Sequence, residues 1–127
     1  MSSAHVFDIN INLLAEVCHA ENVHFWKDLE TNEDVRTRPH VVGEKLMLIV
    51  CEISEAMEAH RKDLMDTHLP HRKGIEVELA DAFIRLCDLA AALHLDLEGA
   101  VIEKLLYNRT RLDHTREARL AANGKKC

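Results

Sequence analysis

A chain of 127 residues, 47% hydrophobic and 30% charged, has the size and composition of one folded domain rather than a disordered or fibrous segment. A net charge of −6, with no basic stripe carrying interleaved aromatics, argues against a nucleic-acid duplex as partner. No apolar run reaches about 18 residues and no secretory leader pattern opens the chain, so a cytoplasmic protein without membrane association is expected.

Gly (4) and Pro (2) are scarce and aromatics are 4%, which predicts an all-α fold. Cys18, Cys51, Cys87 and Cys127 show no C-x-x-C spacing, so neither zinc nor a disulfide framework is expected. Cys51 and Cys87 lie in apolar helical patterns and are expected as small core residues.

The first predicted helix runs from Phe7 to about Trp26, with Ile9, Leu13, Val17 and Ala20 as its apolar positions. A polar connector, "KDLETNEDVRTRPH", contains Pro39. The second helix runs from about His40 to Lys62, and Leu46, Val50, Ile53 and Met57 have the spacing of a core seam. The loop "DTHLPHRKG" carries the breakers Pro70 and Gly74. The third helix, "GIEVELADAFIRLCDLAAALHL" (74–95), is apolar almost all round. Its one charged stripe is Glu78, Asp81, Arg85 and Asp88, expected as the wet line of a helix otherwise buried in the core and against a partner subunit. Asp96 is the expected N-cap of a fourth helix that continues past Arg111, and residues from about 120 to 127 form a solvated tail. One domain of four to five helices, spanning 1–127, is the predicted architecture.

Carboxylates stand out. Glu52 and Glu55 share a face of the second helix, and Glu78 and Asp81 repeat that spacing on the third. Antiparallel packing across a short connection brings the four together. Like charges so placed repel, more strongly when partly buried, and a hard divalent cation offsets that repulsion. Mg²⁺ is the cation expected, with Mn²⁺ as a substitute, and such a site receives nucleotide phosphates.

The segments "EKLMLIVCEISEAMEA" and "ELADAFIRLCDLA" resemble the MazG-like, all-α nucleoside triphosphate pyrophosphohydrolases, whose signature is E-x-x-E followed by E-x-x-D. The later "KLLYNRTR" is similar to that family's K-x-x-Y-N element, and the likeness covers about 40–112. The resemblance implies an all-α NTP pyrophosphatase bundle, assembled as a dimer or dimer of dimers. It implies Mg²⁺-dependent hydrolysis of a nucleoside triphosphate between the α and β phosphates, with a role in nucleotide-pool housecleaning. Glu52, Glu55, Glu78 and Asp81 would hold the metal, and either Glu52 or Glu55 would activate water. On the fourth helix Lys104, Tyr107, Asn108 and Arg111 share a face and would meet the substrate, while Arg85 has two readings, orienting Asp81 one turn earlier or facing a partner subunit. "NVHFW" leaves two readings of Trp26, a core aromatic or a nucleobase platform.

Two other classes remain. A di-metal carboxylate bundle needs E-x-x-H elements on different helices, but "EVCH" (Glu16, His19) and "ENVH" (Glu21, His24) both lie on the first segment. A non-enzymatic helical dimerisation or adaptor module would use the acidic stripes as ordinary surface.

Overall fold

The structure is a computed structural model that describes residues 8–127. The expected helical start at Phe7 lies outside the described residues. Five α-helices follow in order: α1 Ile11–Asn22, α2 Val41–Arg61, α3 Gly74–Ala92, α4 Leu97–Arg109 and α5 Arg116–Leu120. Among the described residues there is no strand, only the isolated bridges Lys27–Asp34 and Met65–Lys73. None of the described helices is long and apolar enough to cross a membrane. The chain divides into two compact units, one of which is Asn10–Leu95, while Asp96–Cys127 belongs to the other.

In the unit Asn10–Leu95, α3 is the middle element, packed on both α1 and α2. One core cluster joins Trp26, Val41, Leu89 and Ala92, and a second joins Ala15, Cys18 and Cys87. Helix termini are set by local chemistry. α2 stops because Asp63 adopts a left-handed φ of 50°, so that Leu64 N–H reaches back to Ala59 O and Asp63 N–H to His60 O. α3 stops the same way, with His94 at φ 55° and Leu95 N–H on Ala90 O. It therefore ends at Ala92 rather than continuing to Leu95. Neither stop carries the glycine that usually marks this motif in a sequence.

Gly74 opens α3 where it meets the end of α2. A Cβ there would lie 2.9 Å from Ala59 Cβ and 3.0 Å from Leu64 O, so only glycine permits this approach. The connection before it is ordered by Asp66, whose Oδ2 accepts from His68 N and Leu69 N.

Two expectations about faces are reversed. Leu46, Val50, Ile53 and Met57 are 48–57% exposed, so the expected core seam lies on the surface of this chain. Cys51 is exposed beside them, whereas Cys87 is buried as expected. On α3 the charged stripe faces inward and Leu79 and Phe83 face outward. Asp88 is the one charged residue among the described residues that is buried.

The unit that contains Asp96–Cys127 holds α4 and α5. Asp96 caps α4 as expected, its Oδ1 accepting from Gly99 N at 2.9 Å. Thr115 caps the short α5 through Ala118 N.

Candidate metal centre

α2 and α3 run antiparallel across the 62–73 connection, with Ala59 beside Gly74 and Glu52 beside Arg85. That register places Glu55 opposite Glu78. Carboxylate oxygens of Glu52, Glu55 and Glu78 all lie within 4.8 Å of one another. Asp81 stands one turn further along α3, outside this cluster but close enough for the Glu52 charge to act on it. Of the four carboxylates expected to converge, three therefore do, and the fourth flanks them.

An ionised carboxylate only accepts hydrogen bonds, so three of them in contact are mutually unsatisfied unless a proton or a cation intervenes. The side chains show this conflict. Glu78 Oε2 is buried and has no hydrogen-bond partner. Burial, then hydrogen bonding of its protonated form to Glu55 and Glu52, then the Glu55 and Asp81 charges, push Glu78 up to about 7. Asp81 is also raised, by burial first and the Glu52 charge second, with Arg85 opposing. Glu52 moves the other way. Burial raises it, but the hydrogen bond and charge of Arg85, together with hydrogen bonds from Glu55 and Glu78, hold it below its ordinary value. The bond from Arg85 Nε to Glu52 Oε1 is 2.7 Å long. Arg85 thus pairs with Glu52 across the interface, not with Asp81 on its own helix as the spacing suggested.

The cluster could hold a hard cation. It offers oxygen donors of net negative charge, and one of them, Glu78 Oε2, is already stripped of water without a partner. A cleft of about 180 Å³ adjoins it, floored by Ala59 and Gly74 and flanked by Glu55, Glu58 and Glu78. Its rim is the 64–67 stretch of the α2–α3 loop. Sequence reasoning missed this wall. The signal available was "MDTHLP", in which Asp66 directly precedes Thr67 and opens a turn that ends in proline.

Trp26 is 0% exposed. Its indole N–H donates to both Asp88 oxygens, at 3.0 and 2.9 Å, and His19 Nδ1 lies 2.7 Å from Asp88 Oδ1. Lys45 Nζ sits 4.6 Å from the ring centroid. Its ring is therefore enclosed by the protein, and the open aromatic of "NVHFW" is Phe25, which packs on His24 at 4.1 Å.

The remaining candidates belong to the other unit. Tyr107 is exposed, with Lys104 Nζ 4.8 Å and Arg111 Cζ 5.9 Å from its ring centroid. Arg111 is engaged by Asp113 through two hydrogen bonds of 3.0 and 2.7 Å. Asn108 Oδ1 is buried without a partner, beside a depression lined by Val101, Lys104 and Leu105. Lys104, Tyr107 and Asn108 share a face of α4, but that helix ends at Arg109 instead of continuing past Arg111, so Arg111 stands beyond it in extended backbone rather than on the shared face.

No family model, curated protein or solved structure matches the chain. The likeness to a known family therefore rests on the motifs in the sequence.

Proposed function

We propose that the chain is a divalent-cation-dependent nucleoside triphosphate pyrophosphohydrolase of the MazG-like, all-α type, cleaving between the α and β phosphates to release a monophosphate and pyrophosphate. The observation that carries this reading is the buried, partnerless Glu78 Oε2 inside a cluster of three carboxylates on adjacent helices. Mg²⁺ is the cation we assign, with Mn²⁺ as substitute, and a nucleotide-pool housecleaning role in the cytoplasm goes with the activity.

The cation, when bound, neutralises polyphosphate charge and stabilises the oxygens of an in-line displacement. Glu52, Glu55 and Glu78 would hold it, with Asp81 completing the set from the next turn of α3. Glu52 is the fixed anion of the group, because the Arg85 guanidinium anchors its Oε1. Glu55 is the exposed member and has no ion-pair partner among the described residues. It is the one suited to holding a water and taking its proton. Lys104 and Asn108 are assigned to the substrate by the K-x-x-Y-N element alone, with Tyr107 and Arg111 beside them. For the base, exposed Phe25 is better suited to stacking than enclosed Trp26.

A homodimer or homotetramer belongs to the same proposal. The exposed stripe Leu46, Val50, Ile53 and Met57 on α2 and the outward Leu79 and Phe83 on α3 form apolar surface that a second copy would cover. That surface is also what favours the second reading, a dimerisation or adaptor module without catalysis. A panel of canonical and modified nucleoside triphosphates with Mg²⁺ separates the two. The enzyme releases pyrophosphate from at least one of them and loses that activity in Glu55→Gln. Orthophosphate as the primary product from every substrate rules out α–β cleavage, and no release from any supports the adaptor.

A further inference from the structure

Beyond the carboxylates, the same interface holds two cationic side chains, Arg85 and Lys45, with donors that the cation reading does not use. Arg85 Nε is tied to Glu52, yet among the described residues its Nη1 and Nη2 donate to nothing. Its side chain is 41% exposed against 12% for Glu52, so one edge of the guanidinium is anchored and the other faces water. Lys45 lies two turns before Glu52 on the same side of α2. Its Nζ donates to Phe25 O at 2.9 Å and rests over Trp26, which leaves further donors of the ammonium unused. Lys45 from α2 and Arg85 from α3 flank Glu52, Lys45 two turns before it and Arg85 bonded to it, and burial, aided by the Arg85 charge and opposed by Asp88, holds Lys45 below its ordinary value. Like charges held together in a half-dry setting are favourable when an anion lies between them.

We propose that Arg85 and Lys45 form an anion-binding ledge that takes the phosphoryl oxygens of a polyphosphate whose other oxygens are chelated by a divalent cation at Glu52, Glu55 and Glu78. This rests on the reading of the cluster as a cation site. A guanidinium with one free edge presents the fork that fits a phosphoryl group, and the tethered ammonium supplies a second point charge. In the protein alone the ledge is balanced: Glu52 answers Arg85, and Asp88 answers Lys45. A cation on Glu52 takes up that carboxylate's charge and leaves Arg85 free to act on an oxyanion. The ledge therefore works only with the cation in place, and it selects a metal-chelated polyphosphate over a free one.

Isothermal titration of the full chain tests this without catalysis and without knowledge of the base. Wild-type protein binds Mn²⁺ alone and binds tripolyphosphate with Mg²⁺, but does not bind tripolyphosphate with chelator. Lys45→Met keeps an apolar stem over Trp26 and touches none of the carboxylates. It retains Mn²⁺ affinity to within about twofold and weakens Mg²⁺-tripolyphosphate by about tenfold. Arg85→Met weakens that ligand by about ten- to a hundredfold, and Arg85→Lys, which keeps the charge, recovers part of the loss. Wild-type tripolyphosphate affinity in both methionine variants, with Mn²⁺ binding intact, overturns the ledge and leaves the cation site standing. Failure of the wild-type chain to bind Mn²⁺ overturns both.

Discussion

Replacing Glu78 by glutamine removes a charge from the place where the protein tolerates it least. In the folded chain Glu78 titrates at about 7 against an ordinary value of 4.5. Between those two values the native state keeps a proton that the unfolded chain has given up. Stability from this group is therefore full below pH 4.5 and is lost as pH rises through about 7. At 1.36 kcal/mol per pH unit the difference corresponds to about 3 kcal/mol, and solvent screening of a half-buried group reduces it to about 1–3 kcal/mol. Without cations at pH 8, Glu78→Gln should be more stable than wild type by that amount, or about 5–10 °C in Tm for a chain of this size. The advantage should shrink steadily toward pH 4.5. The glutamine amide can still donate to Glu55 or Glu52, so no new unsatisfied group is created. Divalent cation should then invert the order: wild type gains about 2.7 kcal/mol at a hundredfold excess over Kd, and the variant gains less. Thermal melts at several pH values, with Mn²⁺ and with chelator, read both effects. A variant that is less stable at pH 8 without cation, or that gains as much from Mn²⁺ as wild type, refutes the reasoning.

Other substitutions probe the scaffold. Asp88→Ala leaves the Trp26 indole N–H and His19 without their acceptor and should cost about 2–4 kcal/mol, measured by urea unfolding followed through Trp26, with Asp88→Asn costing less. Gly74→Ala drives a methyl into Ala59 and Leu64 O, and should cost about 1–3 kcal/mol in the same assay. Asp63→Gly and His94→Gly relieve left-handed backbone at the ends of α2 and α3, and each should raise stability by about 0.5–1 kcal/mol. Ile53→Glu with Phe83→Glu should shift sedimentation toward a single copy while leaving the helical circular dichroism unchanged, and an unaltered assembly state would remove the α2–α3 surface from the interface.

Helical class and the pairing of Glu52 and Glu55 with Glu78 were legible in the sequence, because helix periodicity fixes which side chains share a face. Periodicity does not say which way a face points. α2 has two adjacent apolar faces, and the one chosen as the core, through Leu46, Val50, Ile53 and Met57, is the exposed one. The buried face instead runs through Val41, Ala56 and Ala59, small residues that contribute little to a hydropathy pattern but allow close helix approach. On α3 the charged stripe reads from the sequence as the solvent side, since charge usually is. Here Asp88 is enclosed by Trp26 and His19 from a distant segment, a pairing that spacing along one helix cannot reveal. Spacing along α3 offers Asp81 to Arg85 for the same reason, and Glu52 across the interface takes that contact.

The Ala59–Gly74 contact has no polar atom in its side chains, yet it acts as a calliper for the cluster one turn away. Mg²⁺ requires ligand distances of about 2.0–2.1 Å, and Ca²⁺ accepts about 2.3–2.6 Å with more ligands. A methyl group inserted at position 74 would spread α2 from α3 by a fraction of an ångström and open the oxygen cage toward the larger ion. Ion choice would then be a property of helix spacing, and competition between Mg²⁺ and Ca²⁺ for the Gly74→Ala protein would register it as a shift toward Ca²⁺.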